Sequence, residues 1–439
     1  MNRSRPGARQ TILITSTSWW AFPSRLAMAF NAAGFRVEAV CPSHHPLLKT
    51  AAVARRHRYL PLRPISGLAG AIRRARPMLV VPCDDRAVGH LHELHAQPDS
   101  IETAALIERS LGASDAFDIA EHRAKVIAIA RAEGVCAPEM VAVPSQDGLQ
   151  AALARIGLPA VIKVDGTWGG MGVFVVHTAE QAERIFRRLD RPVSCARAIK
   201  RLLVDRDPFS LRPWLRRDRP VVNIQRFISG RPANSAVFCW NGEVLARIAV
   251  EVLSARTELG ASTIVRIVEH PEMADAETRI VRRLRLSGFC GFDFMIENGT
   301  GAAHLIEMNM RSTPLSHMAL GPGRDLVAAL AARLLGATAA PPPVTTKDTI
   351  AFFPQAWQHD PRGVLLRDSF HDVPWEEPEL VRELIKPPWP NRGWASRLAR
   401  RLRAAAAAMG RASTLVQDGI PFGLAQAPPR FDRSRLPPG

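Results

Sequence analysis

Three stretches of this chain bring together side chains whose types and spacing could do chemistry on a phosphate. In PAVIKVDGTWGGMGVFVV (159–176) an apolar run delivers Lys163, and Gly166, Gly169, Gly170 and Gly172 follow before a second apolar run. Glycines let backbone N–H groups come close to phosphate oxygens, and a lysine at a strand end adds a point charge. The stretch matches neither G-x-x-x-x-G-K-[ST] nor a strand-to-helix G-x-G-x-x-G turn, so alone it is a glycine hairpin beside a cation. In GFDFMIENGTGAAHLIEMNMRSTP (291–314) two apolar runs flank Asn298–Gly301, which predicts a hairpin. Glu307 and Asn309 are two apart and share a sheet face, and Asp293 can lie opposite them on the partner strand. Two carboxylates and an amide oxygen are hard ligands suited to Mg²⁺, with Mn²⁺ as an alternative. Surface acids are the bland alternative, but these stand among Phe, Met, Leu and Ile, where unpaired charge is costly. Arg311, two beyond Asn309, projects to the same face if the strand continues; it would either fork onto phosphoryl oxygens or form a structural salt bridge. The third stretch, VVNIQRFISGRPANSAVFCW (221–240), reads as strand, connector, strand. Such a connector offers backbone groups to an adenine, and the Gln225 carbonyl can accept from its exocyclic amine.

The elements that must position these residues follow from the apolar pattern. TILIT (11–15), the helical PSRLAMAFNAAG, FRVEAVCP and MLVVPCDD (78–85) alternate strand and helix, which predicts a small parallel α/β domain over 10–113. Ligands of such sheets sit beyond the strands' carboxyl ends, where Ser16, Thr17, Asp84 and Asp85 fall, although the two acids serve equally well as helix caps. His90, His92 and His95 do not share one helix face, so solvent-facing histidines are expected rather than a metal cluster. A second domain is expected over 114–340. It opens with one helix across 114–134, and has a glycine-loop part at about 159–222 and a hairpin part at about 223–340. Residues 190–220, rich in Arg and Pro, read as an inserted loop or helical excursion, and Asn241-Gly242 as a hairpin turn. ATAAPPP (337–343) marks a boundary, beyond which a partly helical C-terminal extension with a disorder-prone tail is expected (341–439).

The order of these parts over roughly residues 10–335 resembles the ATP-grasp superfamily, most closely its carboxylate–amine ligase and carbamoyl-phosphate-synthetase-like branch. The resemblance implies an α/β fold, with an ATP-grasp domain after a pre-grasp domain. It implies ATP and Mg²⁺ as cofactors, and a small-molecule carboxylate, activated as an acyl phosphate, and an amine as substrates. It assigns Lys125 to the α-phosphate, Lys163 to the α- and β-phosphates, the 166–172 loop to β and γ, and Gln225, Arg226, Phe227 and Ile228 to the adenine hinge. Asp293, Glu307 and Asn309 would hold the metal, and Arg311 would face the transferring phosphoryl group. The chain departs from the pattern in having Gln225 where Glu is usual, Pro232 near the expected ribose acid, and bulky Trp168 and Met171 in the glycine loop. Biotin-carboxylase-like activation of bicarbonate is one rival reading, with no biotinyl-lysine motif in the chain. A non-catalytic nucleotide- or polyanion-binding protein is another.

Composition narrows the setting. A chain of 439 residues, 47% hydrophobic, suits two or three domains with real cores. Six scattered cysteines without a C-x-x-C pair fit reduced thiols, and no run is long and apolar enough for a membrane span, so a cytoplasmic protein is expected. The net charge of +17 sits almost wholly in two segments. Residues 184–220 carry eleven Arg and one Lys against four Asp, and residues 382–439 carry ten Arg and one Lys against three acids. Neither interleaves aromatics with bases and no DNA- or RNA-binding motif occurs, so no specific nucleic acid is expected. Solvated basic faces are the plain reading, contact with acidic surfaces the alternative, and a homo-oligomer stays open.

Overall fold

The computed structural model describes residues 9–388, apart from 99, 167–171, 204–210, 218, 258 and 338–340, together with 392, 393 and 398. The first sheet comprises β1 (Thr11–Thr15), β2 (Arg36–Cys41), β3 (Val53–Arg58) and β4 (Leu79–Pro82), in the order β3-β2-β1-β4 and all parallel. The apolar runs at β1, β2 and β4 are buried, as a parallel sheet covered by helices requires. Strand β3, at one edge of the sheet, was not legible: VARRHR buries only Val53 and His57. His57 Nε2 meets Glu38 at 2.8 Å, both side chains buried, which is how this edge carries a polar pair inward.

A four-stranded antiparallel sheet follows, built from β5 (Met140–Val143), β6 (Ala160–Val164), β7 (Val173–Val176) and β8 (Val222–Arg226) in the order β5-β8-β6-β7. Ala160, Ile162, Val164, Val222 and Ile224 bury one face against the helices Gln146–Ile156 and Ala179–Leu189, forming a separate core. Period-two alternation therefore turns Val161, Lys163, Asn223 and Gln225 to the other face. Between β7 and β8 the Arg-rich insertion forms helices Cys195–Leu203 and Leu211–Arg216.

The largest sheet has seven strands in the order β13-β12-β9-β10-β11-β14-β15: β9 (Gly230–Trp240), β10 (Glu243–Ala255), β11 (Ser262–Ile267), β12 (Gly288–Glu297), β13 (Ala303–Asn309), β14 (Thr349–Phe352) and β15 (Phe370–Asp372). Asn241 and Gly242 both take positive φ, 49° and 85°, as the tight turn between β9 and β10 requires. Two large cores bury the sheet. One holds Phe292, Phe294 and Leu305 with Met273 and Ile280 of helix Pro271–Arg283; the other holds Phe238 and Phe289 with Phe30 of the first domain. The sheet does not stop at the Pro-rich run: β14 pairs with β11, so residues 349–372 lie within the architecture that an expected boundary at 340 would divide. Buried Asp372 fixes this segment to Arg25 at 2.8 Å and His317 at 2.9 Å. Burial alone would raise its pKa, yet these two partners hold it down to about 2.

Candidate active site

The carboxylates are placed by strand register. Asp293 on β12 stands directly opposite Glu307 on β13, and Gly291 opposite Asn309. The ladder then slips, pairing Phe294 with Leu305 and leaving Ile306 as the extra residue of a bulge. The Ile306 carbonyl accepts from Lys163 Nζ at 3.3 Å and from Gln225 Nε2 at 3.4 Å, so the bulge is where the four-stranded sheet touches the hairpin. Asn234 Nδ2 donates to one oxygen of Asp293 at 2.5 Å and Asn309 Nδ2 to the other at 3.2 Å. Burial and the neighbouring Glu307 charge push Asp293 up to about 6. Burial also opposes the charge on Glu307, but Arg123 and Lys163 outweigh it and hold that carboxyl below its ordinary range. Lys163 is 5% exposed, and burial lowers its pKa against the opposing pull of Glu307.

Lys125, expected at the α-phosphate, does not meet the hairpin in this structure, whereas Arg123 does. The helix expected across 114–134 breaks at His122, which is extended (φ −115°, ψ 111°), and restarts as Arg123–Ala132. Arg123, at the restart, crosses to Glu307 (Nη2 to Oε1, 2.9 Å), to the Val164 carbonyl (2.5 Å) and to Asp165 (3.4 Å). Lys125 lies roughly 200° further around the helix. It is exposed and pairs with Asp118 at 2.5 Å. Sequence order alone could not find this, because the register depends on where the helix restarts.

Arg311 stays on the carboxylate face but is already engaged: Nε meets Asp85 at 2.7 Å and Nη2 meets Asn309 Oδ1 at 3.0 Å. Asn309 thus gives its oxygen to Arg311 and its N–H to Asp293, and links the two instead of presenting an open ligand. Of the paired acids in the first domain, Asp84 caps helix Asp85–Ala96 through Ala87 N (2.9 Å) and also gathers Ser16, Thr17 N and Thr17 Oγ1. Asp85 belongs to the Arg311 pair. His92 is buried rather than solvent-facing, stacked on Phe117 and bonded to Glu121 at 2.5 Å.

Gly166 and Gly172 both take left-handed φ, 69° and 73°, where a side chain would be strained. Gly169 and Gly170 lie outside the described residues. Gln225 is buried, Arg226 is exposed with its N–H on the Glu139 carbonyl, and Phe227 and Ile228 are half-buried. Besides Arg123, three residues not anticipated complete the site: Asn234, Asp165 and Asn223. Asn223 Nδ2 donates to Asp165 Oδ1 at 2.8 Å, while Asp165 Oδ2 and Asn223 Oδ1 are buried with no hydrogen-bond partner among the described residues. Asn223 and Asp165 stand two residues from Gln225 and Lys163, so strand alternation could have found them. Among the described residues no group of three or more His, Cys, Asp and Glu could hold a metal. The donor set here is two facing carboxylates, whose mutual repulsion a hard divalent cation relieves, and Mg²⁺ keeps water and phosphate oxygens as its remaining ligands. The residues fit such an ion.

No family model and no curated protein sequence matches the chain. Solved structures do. The biotin carboxylase domain of Hydrogenobacter thermophilus 2-oxoglutarate carboxylase, solved with MgADP, ADP and bicarbonate, superposes with a TM-score of 0.52 at 13% identity, over 76% of this chain and 71% of that one. N5-carboxyaminoimidazole synthetase from Staphylococcus aureus complexed with ADP gives 0.52 at 11%, over 75% and 79%. L-amino acid ligase from Bacillus licheniformis gives 0.51 at 12%, over 74% of each chain. The chain has the ATP-grasp fold, which it shares with these three structures.

Proposed function

We propose that this chain is an ATP-dependent ligase that activates a small-molecule carboxylate as an acyl phosphate and transfers the acyl group to an amine. The observation that carries the reading is the convergence on one bulged hairpin. Asp293 and Glu307 face each other in register, and Lys163 and Arg123 reach the same hairpin from outside its sheet. Asp293 and Glu307 would hold Mg²⁺ or Mn²⁺, with Asn309 bracing Asp293. That ion supplies neutralisation of phosphate charge when bound. Lys163 and Arg123 neutralise the polyphosphate of ATP, the 166–172 loop covers it, and residues 225–228 flank the adenine. Arg311, held by Asp85, forks onto the phosphoryl oxygens in transit. The substrate carboxylate oxygen bonds to the γ-phosphorus as ADP leaves. The amine nitrogen then bonds to the acyl carbon as inorganic phosphate leaves and the amine gives up a proton. Phosphoryl transfer of this kind needs positioning and charge neutralisation rather than a side-chain nucleophile. The ligase reading is supported by the likeness to an L-amino acid ligase; a cytoplasmic setting is supported by six free cysteines.

Bicarbonate as the activated acid is the second reading, favoured by the likeness to a biotin carboxylase domain solved with bicarbonate. One experiment tests both: ADP release by the purified chain across a panel of carboxylates and bicarbonate, with hydroxylamine present. A hydroxamate formed from one carboxylate supports the ligase. ADP release with bicarbonate alone supports the second reading. ATP that neither binds nor turns over under any condition overturns both.

A further inference from the structure

The basic insertion between β7 and β8 carries a feature that its charge did not reveal. In helix Cys195–Leu203 the residues Ile199, Leu202 and Leu203 stand at i, i+3 and i+4, the spacing of one apolar face. A helix of a globular protein normally turns such a face into its core. Here Ala198 is buried, while Ile199 is 47% and Leu203 67% exposed. Helix Leu211–Arg216 packs beside it and exposes Leu215 at 72%. In the same stretch of chain Arg187, Arg191, Arg216, Arg217 and Arg219 are exposed, within a segment of eleven Arg and one Lys against four Asp.

We propose that this insertion docks on the surface of an anionic lipid bilayer, with Ile199, Leu202, Leu203 and Leu215 entering the acyl boundary and the arginines meeting lipid phosphates. The sign of the charge selects the partner. The C-terminal segment 382–439 is as basic as the insertion, and a second copy would present the same positive patch, so both are repelled. A nucleic acid satisfies the arginines but leaves the leucines in water. A helix with protruding leucines in an arginine-rich segment suits the lipid interface, which takes both halves at once. No described helix is long and apolar enough to cross a membrane, so contact is peripheral.

The test is co-sedimentation of the full chain with vesicles of phosphatidylglycerol and phosphatidylcholine, set against pure phosphatidylcholine and against a duplex RNA. Binding to the anionic vesicles alone is expected, falling at least tenfold at high salt and at least fivefold in Leu203→Asp and in Leu215→Asp. Because both leucines project into solvent, unchanged melting curves should show that these variants fold; Arg216→Gln with Arg217→Gln is a second variant, leaving the apolar face intact, that should also lose binding. No binding to anionic vesicles overturns the proposal. So does vesicle binding that ignores both leucines but is lost on truncation after residue 390, or RNA binding that equals vesicle binding and ignores the leucines. None of these readouts depends on ATP turnover, so they stand or fall apart from the ligase reading.

Discussion

The seven-stranded and four-stranded sheets hold their functional side chains in different ways. On the seven-stranded sheet, backbone pairing fixes Asp293 against Glu307 and two large cores bury the strands that carry them. The four-stranded sheet has a small core of its own and meets the hairpin mainly through side chains, Lys163 and Gln225 both ending on the Ile306 carbonyl. Arg123 is a third case, set by a helix restart rather than by either sheet. On the proposed function, a carboxylate pair must hold its spacing whatever the nucleotide does, so register suits it. Cations that close on phosphate can come from a part that moves as a unit, so reach suits them.

If that contrast is right, the largest effect comes from the register-fixed pair. Glu307→Gln should lower turnover by roughly a thousandfold with the fold intact, and adding Asp293→Asn should cost little more, since the two act as one unit. Normal turnover with normal Mg²⁺ dependence in Glu307→Gln would make the hairpin purely structural. Next come the cations that reach across. Lys163→Ala and Arg123→Ala should each weaken ATP binding by about 1.5–3 kcal/mol, whereas Lys125→Ala should leave it unchanged. Calorimetry that found Lys125 essential and Arg123 dispensable would reverse the assignment.

A smaller effect is expected where the first domain meets the hairpin. Arg311→Lys and Asp85→Asn should both lower kcat by about tenfold with ATP affinity kept, because a lysine cannot reproduce the fork and an unanchored guanidinium loses its aim. A lowered melting point with unaltered single-turnover chemistry would mean the Arg311–Asp85 pair is only a brace. Behind the seven-stranded sheet, buried Glu277 has Arg247 Nε 3.7 Å away. Burial pushes its pKa up to about 7 against the pull of Arg247. A raised carboxyl favours the fold below its unfolded value near 4.5, and that contribution is lost as pH climbs through about 7. The melting temperature should therefore fall between about pH 5 and pH 8, and Glu277→Gln should flatten the fall; an unchanged slope would place the titration elsewhere. Smallest of all, truncation after about residue 390 should leave ATP turnover unaltered.

What the sequence disclosed follows the same division. Period-two alternation and a turn signal were enough to place Asp293, Glu307 and Asn309 on one face, and the first parallel sheet was legible where its strands are apolar, as in β1 and β4, or alternate, as in β2. Strand β3 was missed because VARRHR carries three arginines and a histidine and shows little apolar pattern, and β14 because the Pro-rich run before it looks like an ending. Residues joined by side-chain reach were the least legible. Arg123 and Lys125 are two positions apart and chemically alike, and only the break at His122 decides which one meets Glu307. Arg311 showed its face but not its partner, since Asp85 lies 226 residues earlier in the chain.

The most direct test of the central claim is calorimetric titration of ATP into the full chain, with Mg²⁺ and then with EDTA, for the wild type and for Glu307→Gln. The carboxylate pair predicts at least tenfold tighter binding with Mg²⁺ than with EDTA in the wild type, and loss of that difference in Glu307→Gln. Equal affinity with and without Mg²⁺ in the wild type, or a Mg²⁺ effect untouched by the substitution, would contradict it.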